Sequence, residues 1–470
     1  TSRTSGNDNV AVGAYCMNAA ATANHNTAVG KSAMHDLTTG SENVAMGVNA
    51  LFACTTGYNN VAIGYRALDA ATTVHSCIAI GYDALGAANT GNSNVAIGRA
   101  AMGANTSGSG TALGAYALAA QTTGIENTAI GYTALDANTT GNHNTAVGHN
   151  ALTANTTAQY NTAVGRNALA SNVTGQYNTA IGMDALEANT DSMNTACGVR
   201  ALEDNATGSS NAAFGYLALT DSNSVENCAF GAEALKTQSS ATGRRNNAFG
   251  YYALRSNTTG EGNCAFGHYA LQQNTTANEN VAFGNSTLYD CTTGNNNACM
   301  GWVAGRQITT GAYNTLIGGH APGYEITTGD NNLCLGNNAG RGSSPSGSIT
   351  TGSNNVVLGN NSINNLYCAD TSISSSDARD KTDVADFTKG LDWIKALRPV
   401  TYRWDRRTWY GTDEEPYGTP DGSKKRDRLH VGFLAQEALA VEQANGYGHN
   451  NDDSLILNLT DDGMSYGMKY

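Results

Sequence analysis

Ser376 and Lys381 are the two residues of this 470-residue chain whose types and spacing could break a covalent bond. A serine hydroxyl is a poor nucleophile until a base takes its proton, and a lysine amine is such a base only when neutral. An unperturbed lysine, with a pKa near 10.4, is neutral to less than about 0.1% at pH 7. Lys381 therefore needs burial or a neighbouring cation. Arg379 is a cation close in sequence, while Asp380 and Asp383 would oppose the shift. Separation by five residues means nothing alone, so the pair takes its meaning from its surroundings.

Those surroundings read as a small α+β domain. Phe387, Leu391, Ile394 and Leu397 have helical spacing and end before Pro399. A strand is expected over 400–404, a charged loop over 405–428, a second strand over 429–434, a short helix over 435–441 and a strand over 455–459. The run Ser376-Asp-Ala-Arg-Asp-Lys381-Thr-Asp383 is followed by Leu-Arg-Pro-Val-Thr-Tyr-Arg-Trp (397–404) and by His-Val-Gly-Phe-Leu-Ala-Gln-Glu (430–437). Together these resemble the intramolecular chaperone domain of endosialidases and phage tail fibres. The resemblance implies that residues 376–470 trimerise, help a β-rich fibre to fold, and then release themselves in a single turnover as Ser376 attacks the carbonyl of Ser375. It also places His430 and Gly432 on the family's second motif, in assisting roles. A retained, uncleaved trimerisation domain with an inert dyad is the alternative.

The chain ahead of this domain is a repeat. Asn-Thr-Ala-Val-Gly-x-x-Ala-Leu, clean at Asn144–Leu152, recurs from the start to about residue 360, and its glycine returns nearly every 17 residues, as at Gly131, Gly148, Gly165 and Gly182. A fixed period of this length marks a solenoid, in which no unit closes a core alone. Counting from the repeat glycine as zero, Thr-Ala-Val alternates as a short strand does. Ala-Leu at +3 and +4 gives a second apolar station, and Thr-Thr-Gly gives a turn. The expectation is a parallel β-solenoid or β-roll over 1–360 with two strands per coil, joined by a linker (361–375) to the domain at 376–470. At about 4.8 Å per strand the stack would be on the order of 100 Å long. Asn-Val-Ala-Ile-Gly at Asn94–Gly98 resembles the repeat phrase of the left-handed β-roll heads of trimeric autotransporter adhesins, which again implies a homotrimer.

Side-chain sizes suggest how the faces are used. If slots −1 and −3 fill the lumen, the uniformly small Ala at −2 and Gly at 0 face outward, where a sister chain could pack close. Phe214, Phe230, Phe249, Phe266 and Phe283 at slot −1, with mostly small partners at −3, then read as volume matching inside the lumen. Tyr65, Tyr82, Tyr132 and Trp302 at slot +1 form an edge that either binds sugars through ring faces or is simply a solvated ladder. Asp184 and Arg200 share a slot and are expected to pair, whereas Glu187 and Glu203 would repel. The irregular stretch 305–349 is either a binding surface or a cap on the stack.

Composition narrows the function. A net charge of −13 without a basic cluster argues against nucleic acid and anionic membrane surfaces, and no apolar run is long enough to span a bilayer. The ten cysteines fall in different slots, which favours reduced thiols over a disulfide ladder. No metal and no cofactor are expected, and the Asn-Thr-Thr sequons read as turns. The combined expectation is a homotrimeric attachment fibre on the virion tail, folded in the host cytoplasm, extracellular in use, and binding a host cell-surface glycan or protein while other tail proteins hold its N-terminal end. A polysaccharide-degrading tailspike and a cell-surface trimeric adhesin are the alternatives. The acids of the repeat region are scattered over several slots, against the convergent pair a glycosidase needs.

Overall fold

The computed structural model describes residues 6–87, 91–238, 242–363, 390–403, 405, 410, 419–425, 429–447, 449, 457–459 and 466–468. The chain divides into two units, Thr1–Asn365 and Leu366–Tyr470.

The first unit is a parallel β-solenoid. Each repeat supplies one short strand, from β1 (Val10–Val12) to β21 (Val356–Leu358), in one 21-stranded sheet. Each strand pairs in register with the next repeat's, so that Thr145, Thr162 and Thr179 stack, as do Ala146, Ala163 and Ala180. The 17-residue period is thus the register itself.

The Ala-Leu station is not the second strand expected from the sequence. It lies in a run of turns, where residues at +2 and +4 are left-handed, as at Asn150 (φ 56°) and Leu152 (φ 53°). Asn150 N–H donates back to Tyr132 O, and Leu152 N–H donates forward to Ala168 O. Alternation between handed conformations lets the backbone bond both neighbouring coils without β geometry. A left-handed leucine costs about 1–2 kcal/mol; complete burial of Leu152 offsets this by about 1.5–3 kcal/mol.

The strand faces are the reverse of those expected. Ala146, Ala163 and Ala180 are fully buried, while the flanking Thr is half-buried and Val164 and Ile181 are exposed. Alanine points into the coil, packing with the Ala-Leu station in one core, and the larger slots −3 and −1 face outward. The lumen is narrow, and leucine already fills most of it. The phenylalanines therefore stack outside, with Phe214, Phe230, Phe249 and Phe266 at successive centroid distances of 4.5, 4.8 and 4.6 Å. Volume matching does occur, but elsewhere. Where the inward slot grows to Leu316 or Cys334, the leucine station shrinks to Gly305, Gly323 and Gly340, whose added Cβ atoms would meet Leu316 Cδ1 at 2.8 and 2.6 Å and Cys334 Sγ at 2.9 Å.

The repeat glycine is small for a reason internal to the chain. Gly148 has φ 143°, and a Cβ there would lie 2.3 Å from Gly165 O in the next coil. The backbone packed against it is the following coil, not a sister chain.

A second determinant is the asparagine at slot −4. Asn43 N–H and its side-chain amide both donate to Asn26 Oδ1 at 3.0 Å, and the same amide donates to Gly57 O at 2.9 Å. The pattern repeats along the stack to Asn355, which donates to Asn332 Oδ1. These amides are buried, and most of the turn carbonyls find their donor there. Cysteine can substitute in the related turn slot: Cys291 Sγ donates to Gly294 O at 3.3 Å, as the Asn138 amide does to Gly141 O at 3.1 Å. The cysteines among the described residues are free, and burial pushes the Cys54 and Cys291 thiols up to about 11 and about 12.

The second unit contains α1 (Gly390–Ala396), β22 (Val400–Tyr402), β23 (His430–Gly432), α2 (Ala435–Ala444), β24 (Leu457–Leu459) and β25 (Tyr466–Met468). β22 and β23 pair antiparallel, as do β24 and β25. α1 buries Trp393 and leaves Ile394 exposed. No helix among the described residues is long and apolar enough to cross a membrane.

Candidate functional site

Ser375, Ser376, Arg379 and Lys381 lie outside the described residues. The partners assigned by the second motif are described. β22–β23 pairing sets Tyr402 opposite His430 and Val400 opposite Gly432. Gly432 sits against the Tyr402 ring, so that an added Cβ would come within 3.3 Å of its Cε1. Just outside this pair, Arg398 forks onto Glu437, its Nε 3.1 Å from Oε2, and the guanidinium holds the Glu437 carboxyl below the usual range. The stretches 397–404 and 430–437 are far apart in sequence, yet they form one ladder closed by one ion pair. Around that ladder Val431, Leu434, Phe433 and Ile394 are exposed, with Val431 at 76%.

In the solenoid, the outward strand face is the largest coherent feature. It carries Val, Thr, Ile, Leu, Met and Phe from β1 to β21, and many are at least one-third exposed. With strands about 4.8 Å apart and slots −3 and −1 about 7 Å apart, this stripe covers on the order of 700 Å². The sequence reading had this face turned inward. A signal for the correct assignment was the variability of slot −1 (Val, Ile, Met, Leu, Cys, Phe), which a lumen of fixed width could not accept.

The slot +1 aromatics stack on one another. Tyr65 lies 5.3 Å from Tyr82 and Tyr132 lies 5.4 Å from His149, in near-parallel planes. Each ring thus has one face against a neighbour and remains about half exposed. Trp302 differs, meeting His320 at 4.5 Å with a 39° tilt.

The expected Asp184–Arg200 pair is replaced by two others. Arg166 Nη2 reaches Asp184 Oδ2 at 3.0 Å, and Arg200 pairs with Glu203 within its own coil, a shorter reach than across coils. Glu187 is raised, first by burial and then by Asp184 and Glu203, in line with the expected repulsion. These three carboxylates lie close together, with Arg166 and Arg200 beside them.

Residues 376–447 match the family model described as chaperone of endosialidase. No curated protein and no solved structure matches the chain.

Proposed function

We propose that this chain is a homotrimeric attachment fibre of a phage tail, in which a chaperone-of-endosialidase segment aligns three solenoids and then cleaves itself off. The observation that carries this reading is a long outward strand face, with large apolar residues at slot −1 beside threonine, valine or another mostly small side chain at slot −3, in the same chain as that segment. A stripe on the order of 700 Å² is close to what one partner of a stable interface buries, about 800 Å². Three such faces turned toward a common axis would remove it from water. An assembly of near-identical coils also needs an external reference for register, and a trimerising end supplies one.

The cleavage chemistry is the one that the resemblance to the chaperone segment implies. Ser376 Oγ attacks the Ser375 carbonyl carbon while neutral Lys381 takes its proton. The C–N bond then breaks, the new amine takes that proton, and water hydrolyses the resulting ester. Arg379 helps to keep Lys381 neutral, and His430 and Gly432 support the site. Denaturing gels of wild type, Ser376→Ala and Lys381→Ala test this. The wild type is expected as two bands, with the break between Ser375 and Ser376 confirmed by mass, and each variant as one full-length band. Identical uncleaved bands in all three would reject self-cleavage and leave a retained chaperone.

A further inference from the structure

We propose that the groove beside Trp302, where the coil register slips, binds a carboxylated sugar of a surface glycan; the inference rests on the attachment reading and names the ligand class. Most strands of the stack are three residues long, but β18 (Ala298–Trp302) and β19 (Thr315–His320) run to five and six. The register shifts between Met300 and Trp302, and Trp302 pairs with His320 where the regular phase would offer Gly319. The slip opens a cavity of about 440 Å³ lined by Asn285, Ser286, Trp302, Arg306, Tyr324 and Arg341. That volume falls in the range of ordinary small-ligand sites, roughly 300–1,000 Å³.

The lining is suited to one chemistry. Trp302 and His320 present exposed rings at one wall, an apolar surface for the C–H face of a pyranose. Two guanidinium groups line the same groove. Arg306 lies 5.1 Å from the Tyr289 ring centre and donates to Tyr324 Oη at 3.1 Å, and it makes no ion pair among the described residues. Arg341 lies 5.0 Å from the Tyr324 ring centre, donates to Asn338 Oδ1 at 3.0 Å, and reaches Glu325 only at 3.5 Å. Tyrosines thus hold two planar cations in place, with Glu325 paired to Arg341 and Asp290 near Arg306 as the only carboxylates acting on them among the described residues, in a chain whose net charge is −13. A planar fork of N–H donors held in advance matches a carboxylate in two-point contact. Asn285 and Ser286 add an amide and a hydroxyl for sugar hydroxyls. A neutral sugar would leave Arg306 without an ion-pair partner within 4 Å among the described residues.

Calorimetric titration of the purified full chain with 3′-sialyllactose and with trigalacturonic acid, against lactose and a sulfated chondroitin disaccharide, tests the assignment. At least one carboxylated sugar is expected to bind about tenfold or more tightly than lactose. Arg306→Ala removes that advantage, Arg306→Lys restores part of it, and Trp302→Ala weakens every sugar; unchanged circular dichroism shows that the variants fold. Equal affinity for lactose and both acids, flat titrations, or full affinity in Arg306→Ala and Arg341→Ala would overturn the proposal. Preference for the sulfated sugar would overturn the carboxylate assignment. The titration contains no cells, so failure of the fibre to adsorb to any bacterium would sink the attachment reading alone, and flat titrations would sink this site alone.

Discussion

A methyl group is too much at the repeat glycine. At Gly148 it would meet the next coil's carbonyl oxygen at 2.3 Å, and the residue would be held at φ 143°. Gly319 is the internal comparison, because nothing lies within 4 Å of the position its Cβ would take. Gly148→Ala is expected to cost about 3 kcal/mol or more and Gly319→Ala well under about 1 kcal/mol. In a stack where coils touch only their neighbours, the damage should be local. Amide exchange read by mass spectrometry would show faster exchange around residues 131–182 in the first variant and a wild-type pattern in the second; equal protection in both would contradict the steric account.

At the scale of the strand, the two faces predict opposite failures. Val164→Lys with Ile181→Lys places charges on the outward face, so the coil should fold and the assembly should not. Native mass spectrometry would then find single chains with unchanged circular dichroism. Ala180→Leu puts bulk into the lumen and should unfold neighbouring coils, by about 1–3 kcal/mol for overpacking. If the lysine pair assembled normally, the outward face would not be the interface. This is also where the sequence misled. Alternation in Thr-Ala-Val gives two faces but does not say which is inside, and the small Ala and Gly invited the idea of a close neighbour. The neighbour exists, but it is the next coil of the same chain. The 17-residue period and the parallel stack were readable because register is set by spacing alone. The asparagine ladder was visible as a repeated letter, yet its meaning needed geometry: an amide reaches both the asparagine one coil back and a turn carbonyl fourteen residues on. The groove at Trp302 depends on a one-residue slip at Gly319 that brings Arg306, Tyr324 and Arg341 to the same wall, and no motif announces it. The stretches 397–404 and 430–437 were recognisable as sequence, and β22–β23 brings them together.

For the whole molecule, the order of events matters. Parallel pairing between separate coils is slow to form and exposes edges and apolar faces meanwhile. Residues 1–375 expressed alone are therefore expected to aggregate, whereas the full Ser376→Ala chain should assemble and stay uncleaved. Sedimentation of the two lysates distinguishes these outcomes, and soluble trimers from the truncated chain would show that the chaperone segment is dispensable.

The asparagine ladder carries a direction as well as a register. Its asparagine-to-asparagine bonds all donate toward the N-terminal side, Asn26 to Asn9, Asn43 to Asn26, and at the far end Asn355 to Asn332, with Cys77 and Gly110 interrupting the run. Through these side chains a completed coil offers an amide oxygen to the coil that follows, while turn carbonyls accept in the opposite sense, as Gly57 O does from the Asn43 amide. A layer laid on the C-terminal side therefore meets a side-chain acceptor already held by the coil beneath it, which is the polarity a chain folding in the order of its synthesis would use.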